Sequence, residues 1–474
     1  MQILKYSVPF ISVIIIFYIL FYTKNMKDYK RKQYKQKNEI NYLSNKINNL
    51  THYNELTGLP NILSLYENFN KDSTISLKNK SSIMLIKIDN YKYMNDTMGN
   101  ESINQILLNI SKKIVSILDS NCTIYQYCCD SFIVIQDKIK SKENTEKFAS
   151  RILSNFRGSI DFDNTLHNIH LNIGIVIAPD HGIQIKELIK YCEIATYRAI
   201  ELGSGSYIVF DQYMYEIYYE KILIEKYLHE AIEKNEFELY YQPQLDIASN
   251  KITGLEALMR WKSPKIGFVP PDKFIKVAED THLIIPLGNW VLKNACAFIK
   301  KLHENGHNNL TISINISILQ LLDSNFIQTL INTLQYYDIE SKYIELEITE
   351  SVLMESFDII SATVDKLNNI GIKIALDDFG KGYSSLSYLR QLPISTLKID
   401  KSFIDTIHTD KKINTITCHI VKIGKSLDMC VVAEGIEKKE QLEYLRKYEC
   451  NKIQGYLYSK PLPEADIINL LKTQ

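Results

Sequence analysis

The chain has 474 residues, 45% of them hydrophobic, with 55 basic and 55 acidic side chains and a formal net charge of zero. That length can bury two or three cores, and the balanced charge excludes a global field for a nucleic acid polymer. Its eight cysteines show neither CxxC pairs nor a disulfide framework and suit a reducing compartment.

The first element is an uncharged apolar run of 18 residues, Tyr6–Thr23. It reaches the lower limit for crossing a hydrocarbon core about 30 Å thick. No small-residue cleavage site follows it, so a retained transmembrane helix over residues 1–23 is expected rather than a cleaved signal peptide. From Lys24 to Leu50 eight Lys/Arg face two acids, and 8 − 2 gives +6. Basic residues just after a span place the remainder on the cytoplasmic side of the cell membrane. Ile40, Leu43, Ile47 and Leu50 recur at 3-4-3 spacing, a helical stripe able to pair with a second copy of the chain. A basic helical linker over 24–50 and a homodimer are therefore expected, although a plain amphipathic connector fits the same pattern.

Residues 51–210 alternate strand and helix signals. SIMLIKID (82–89) and LNIGIVIA (171–178) predict strands, and IYQYCCDSFIVI (124–135) predicts a hairpin. Residues 103–118 and 184–200 predict helices. The expectation is an α+β domain, helices over a mostly antiparallel sheet, followed by a connecting helix at 211–225. From 226 to 474 eight strand candidates follow: ELYYQPQL, KITGLEAL, TISINIS, YIELEIT, IKIALDD, TLKID, CVVAEGI and GYLYS. With helical patterns between most of them they predict an α/β domain, a (β/α)8 TIM-like barrel.

Six polar residues stand at the ends of those apolar runs: Glu256, Asn315, Glu347, Asp377, Lys398 and Glu434. The gaps between them are 59, 32, 30, 21 and 36 residues. One strand and its returning helix take roughly 30 residues, so the first gap is near two units and the others near one. Barrels of this kind place chemistry at the carboxyl ends of their strands, which would bring these side chains to one mouth. Hard oxygen donors so gathered suit Mg²⁺ or Mn²⁺. Such a set suits a metal-assisted reaction.

The motifs YYQPQ, EALMRW, INIS, LEITES, DDFGKGYSSL, LKIDKSFI, VVAEGIE and IQGYLYSKP, in that order, closely resemble the EAL family of cyclic di-GMP phosphodiesterases over residues 226–474. The resemblance implies hydrolysis of cyclic di-GMP to linear pGpG with two ions, Mg²⁺ or Mn²⁺. It implies Glu256, Asn315, Glu347, Asp377, Asp378 and Glu434 as metal ligands or water-orienting carboxylates, with Lys398 and Glu434 at the attacking water. It further implies Gln242, Arg260, Asp378 and Gln454 toward substrate, Glu350 bracing the DDFGKGYSSL loop, and Glu437 supporting Glu434. Lys381 departs from the motif at a loop position.

Residues 51–210 resemble the GGDEF family of diguanylate cyclases in a degraded form. NELTGLPN (54–61), IDNYKYMNDTMGN (88–100) and YCEIATYRAIELG (191–203) match its scaffold. The signature itself reads Cys128-Cys129-Asp130-Ser131-Phe132. Cysteines replace two glycines, and Ser131 replaces a carboxylate. Asp89 and Asp130 match metal positions, Lys92 a phosphate contact and Asn95 a guanine contact, while Asn104 and Ile200 depart from the pattern. Lost cyclase activity is expected, with GTP binding that regulates the other half as a further possibility beside a relay or dimerisation role. A non-catalytic cyclic di-GMP receptor and a bifunctional cyclase–phosphodiesterase are the competing readings. The complete ligand set opposes the first, and the altered signature opposes the second.

Overall fold

The structure is a computed structural model that describes residues 4–69, 80–162, 165–355, 357–380, 386–407 and 411–473; described side chains begin at Phe17. It divides into two compact units, residues 1–218 and 219–474.

In the first unit one helix runs from Leu4 to His52, which includes the linker expected at 24–50. Ile40, Leu43, Ile47 and Leu50 are all exposed along it. Of the expected anchor, the side chains of residues 6–16 and Leu20 lie outside the described set; Phe17, Tyr18, Ile19, Phe21 and Tyr22 are exposed. Among the described residues no helix is long and apolar enough to cross a membrane.

The sheet of this unit has the order β2-β3-β1-β6-β7. Its strands are β1 (Ser81–Ile88), β2 (Cys122–Cys128), β3 (Ser131–Gln136), β6 (Leu171–Ala178) and β7 (Tyr207–Val209). A separate ribbon pairs β4 (Ser159–Phe162) with β5 (Thr165–Asn168). β1 pairs antiparallel with β3 and β6, and only β6–β7 is parallel. β1 reads as a continuous apolar run because helices cover both of its faces. Met84, Ile86 and Ile88 pack with Ile103, Ile106 and Ile110 of the helix Asn100–Ile117, while Ile83 and Leu85 pack with Leu188 and Ile189 of the helix Ile185–Glu201. The expected connecting helix is longer than 211–225, running from Gln212 to Glu233.

The second unit is a closed barrel. Its strands are β8 (Phe237–Asp246), β9 (Ile252–Ser263), β11 (Thr311–Asn315), β12 (Ile344–Thr349), β13 (Lys373–Phe379), β14 (Thr396–Ile399), β15 (Cys430–Ala433) and β16 (Lys452–Ile453). β9 and then β11 to β16 follow one another in parallel, and β8 closes the ring antiparallel to both β9 and β16. Short β10 (Gly267–Val269) pairs antiparallel with the end of β9, and β17 (Leu462–Pro463) pairs antiparallel with β8.

Two expectations are corrected here. The barrel is not uniformly parallel, because the five residues between β8 and β9 (247–251) can only turn the chain back as a hairpin, whereas a parallel return needs a crossover of a dozen or more. GYLYS is not a strand; the eighth strand is Lys452–Ile453, just upstream. Gly455 explains the break, since a Cβ there would stand 2.2 Å from the backbone nitrogen of Ile436 and 2.3 Å from its carbonyl oxygen. Backbone meets backbone at that point, and a side chain cannot fit. Gly455→Ala should cost about 1–3 kcal/mol through overpacking, lowering the barrel's calorimetric midpoint by roughly 3–10 °C. An unchanged midpoint would contradict this packing.

Candidate active site

Alternation along the strands decides which side chains enter the barrel. On β12, Ile344, Leu346 and Ile348 join the core, and Glu345 and Glu347 point the other way, bonding to β14 across the intervening β13. On β14 the same alternation delivers Lys398, which is 1% exposed. Its Nζ lies 2.6 Å from Glu347 Oε2, 2.7 Å from Glu434 Oε1, 3.3 Å from Asp377 Oδ1 and 3.7 Å from Glu256 Oε1. Four strands thus each aim one carboxylate at a single ammonium. A fifth supplies Asn315, whose Nδ2 donates to Glu256 Oε1 at 2.8 Å. Gln454 donates from Nε2 to Glu256 Oε2 and, at 3.1 Å, to Gln242 Oε1. Gln242 in turn donates to the Ser459 carbonyl at 3.2 Å.

The strand ends carry special geometry. Glu256 sits in the middle of the long β9, not at its end as expected, because β9 continues beyond the barrel toward β10. Opposite Glu256 in the ladder is Gln242. On β13 the register shifts between Leu376 and Phe379, and Asp378 adopts φ 57°. Such a bulge interrupts strict alternation and re-aims side chains, so consecutive Asp377 and Asp378 need not face opposite ways. Glu350, 4% exposed, accepts from the Gly380 nitrogen at 2.9 Å and so ties down the end of that strand. Lys381 lies outside the described residues.

The electrostatics follow from four acids meeting one base out of water. Burial opposes the charge on Lys398, but Glu256, Glu347, Glu434 and Asp377 outweigh it and hold its pKa well above the ordinary lysine value. Burial, then the charge of Glu256, pushes Glu347 well above the carboxylate range. Burial likewise raises Asp377, and pushes Glu434 up to about 8 against the pull of Lys398. Burial also acts on Glu256, yet Lys398 and the donors Gln454 and Asn315 keep it below the usual value.

Among the described residues no three His, Cys, Asp or Glu side chains close on one point as a preformed ion cage; the carboxylates converge on the Lys398 ammonium instead. The donor set nonetheless fits divalent cations. Carboxylates exceed ammonium groups four to one, all donors are hard oxygens, and buried Glu347 Oε1 has no hydrogen-bond partner.

Two expected residues stand apart. Glu437 is exposed and paired with Lys401 at 2.6 Å, because the chain has left β15 and turned outward before reaching it. Arg260 is half-buried on β9, stacks on Tyr240 at 5.5 Å and donates to the Met259 carbonyl at 2.7 Å. The amide pair Gln242–Gln454, expected to face substrate and site, lies in the site: Gln454 bonds both the Glu256 carboxylate and Gln242.

In the first unit, the ends of β1 and the β2–β3 hairpin bring Asp89 and Asp130 into one region. Lys87 Nζ lies 3.5 Å from Asp130 Oδ2. Asp89 accepts from the Asn90 nitrogen at 3.0 Å and from the Ser204 hydroxyl. Asn95 is half-buried on the helix Tyr91–Met98, Ser131 is buried, and Cys128 and Cys129 are exposed free thiols. Cys128 pairs with Ser131 across a turn in which neither cysteine has a positive φ. The turn therefore forms without a positive φ at either cysteine, and two exposed thiols line it.

Residues 225–461 match the EAL domain family, and residues 51–206 match the family described as diguanylate cyclase, GGDEF domain. The chain belongs to the EAL family and carries a GGDEF domain ahead of it. It is 31% identical over 437 residues to cyclic di-GMP phosphodiesterase NbdA of Pseudomonas aeruginosa, covering 92% of this chain and 56% of that protein. It is 32% identical over 416 residues to cyclic di-GMP phosphodiesterase PdeR of Escherichia coli, covering 87% and 62%. The chain thus spans little more than half the length of these relatives. A solved structure of the PaMucR phosphodiesterase in complex with c-di-GMP matches at TM-score 0.50 and 36% identity, over 52% of this chain and 99% of that one.

Replacing Glu350 by Ala leaves the Gly380 amide without its acceptor. Losing a hydrogen bond to a charged group costs about 1.5–3 kcal/mol, so amide exchange over 377–380 should quicken by roughly ten-fold or more. Exchange at the parent rate would show that Glu350 does not hold this segment.

Proposed function

We propose that this chain is a phosphodiesterase that opens cyclic di-GMP to linear pGpG at the mouth of its barrel. The observation that carries the reading is the gathering of Glu256, Glu347, Asp377 and Glu434 around buried Lys398, with Asn315 alongside. The similarity to named cyclic di-GMP phosphodiesterases points to the same substrate. Glu256, Asn315, Glu347, Asp377 and Asp378 would hold two Mg²⁺ or Mn²⁺ ions. Those ions, when bound, supply charge neutralisation at phosphorus and a hydroxide-like nucleophile at neutral pH.

The chain's own residues have separate tasks. Glu434, bonded to Lys398 at 2.7 Å, is placed to take a proton from an attacking water. Lys398 keeps its charge beside the carboxylates and orients both Glu434 and Glu347. Gln454 and Gln242 hold the second oxygen of Glu256 in place. Arg260, half-buried at the outer part of β9, would swing from the Met259 carbonyl to a phosphate oxygen. The receptor alternative is opposed by the completeness of this set.

The apolar start of the chain, Tyr6–Thr23, would anchor it in the cell membrane with both domains in the cytoplasm, and the exposed stripe Ile40–Leu50 would pair two copies. The GGDEF domain would act as a regulatory or dimerisation module without cyclase activity. Its Asp130 faces Lys87, its Asp89 is engaged by Ser204, and Ser131 supplies no carboxylate.

Incubating the full chain with cyclic di-GMP and each cation, then separating products, should give pGpG. Glu256→Ala and Lys398→Ala should each lower kcat by at least about 100-fold, with Lys398→Ala still binding the dinucleotide. Parent rates in either variant would contradict the role assigned to that residue. Incubation with GTP should yield no cyclic di-GMP, and heat on titrating GTP into the Mg²⁺-loaded chain would mark the domain as a nucleotide-binding regulator; no heat at millimolar GTP removes that role.

A further inference from the structure

Beneath the carboxylate cluster lies a second polar group that the proposed chemistry does not use. Ser313 on β11, Glu345 on β12 and Thr396 on β14 are 1%, 5% and 4% exposed. Ser313 donates from Oγ to Glu345 Oε2 at 2.9 Å, and Thr396 donates from Oγ1 to Glu345 Oε1 at 2.5 Å. Interiors of such barrels are ordinarily filled with branched apolar side chains, so a carboxylate here needs a reason. Each member stands two residues before a site residue: Ser313 before Asn315, Glu345 before Glu347, Thr396 before Lys398. Two residues along a strand is one step on the same face, about 6.7 Å.

The tie is not a neighbour contact alone. Ser313 and Glu345 are ladder partners, but β12 and β14 are separated by β13. The residue of β13 paired with Thr396 is Ala375, which is also the partner of Glu347. A methyl group at that point leaves the Glu345 carboxylate room to reach past β13. We infer that Glu345 is a positioning residue: by clamping Ser313 and Thr396 it sets the relative heights of Asn315, Glu347 and Lys398 within the cluster. Hydrogen-bonded groups behind metal ligands commonly govern affinity and rate in this manner.

The inference rests on the proposed function for its kinetic readout, so metal affinity is measured beside it. With the full chain, Mn²⁺ affinity is followed by electron paramagnetic resonance and hydrolysis of cyclic di-GMP by product separation. Glu345→Leu should weaken Mn²⁺ binding and lower kcat, each by roughly 10–100-fold, with KM for the dinucleotide within about three-fold. Glu345→Gln, able to accept from one hydroxyl and donate to the other, should recover most of both. Thr396→Val removes one arm of the clamp and should fall between them; it decides the matter if Glu345→Leu does not fold. Parent values in Glu345→Leu or Thr396→Val, or Glu345→Gln as impaired as Glu345→Leu, would overturn the clamp. A parent chain that binds Mn²⁺ without hydrolysing the dinucleotide overturns the functional reading instead, and the Mn²⁺ affinities then decide the clamp alone. A parent chain that binds no Mn²⁺ overturns both.

Discussion

One buried ammonium holds the barrel's mouth together. Lys398 lies out of water among four carboxylates on β9, β12, β13 and the end of β15. Removing a buried charge's partner leaves an uncompensated charge and costs several kcal/mol, so none of these groups can be lost without disturbing the rest. The balance is also incomplete, since a single positive charge cannot neutralise four acids. Burial raises the proton affinities of Glu347, Asp377 and Glu434, and the neighbouring carboxylates add to that rise.

The surrounding backbone serves that constraint. The antiparallel β8 brings Gln242 opposite Glu256, and Gln454 follows directly on β16 to bond both. The register shift at Asp377–Asp378 breaks the strand's regular alternation there, and Glu350 fixes the segment that follows. In the other unit the two acids near the β2–β3 hairpin are engaged within the chain: Asp130 is paired with Lys87, and Asp89 is bonded by Ser204. The Cys128–Ser131 hairpin turns with neither cysteine at a positive φ.

Much of this was legible before any coordinates, and for physical reasons. Strands β1, β6, β9, β11, β12 and β13 announced themselves as apolar runs ended or interrupted by a single polar residue, and helical spacing marked 103–118 and 184–200. The gathering of Glu256, Asn315, Glu347, Asp377, Lys398 and Glu434 followed from repeat spacing alone, because parallel strands of a barrel share one mouth. Strand direction was less legible. β8 alternates no differently from its neighbours, and only the five-residue link to β9 betrays a hairpin. The last strand was misplaced because GYLYS has strong strand residues, whereas the close approach of Gly455 to Ile436 is a tertiary fact. Glu437 looked like a partner by proximity in the chain, yet the backbone had already turned toward Lys401. The clamp at Glu345 was written in the alternation of IELEIT, although the hydroxyls that answer it lie 32 and 51 residues away.

The central claim is that these carboxylates, held at fixed height by their strands, form a two-cation centre. Anomalous diffraction from a Mn²⁺-loaded crystal of the chain tests it most directly. The account predicts two peaks bordered by Glu256, Asn315, Glu347 and Asp377. Peaks elsewhere, or an unchanged cluster still closed on Lys398 with no ion among its oxygens, would contradict it.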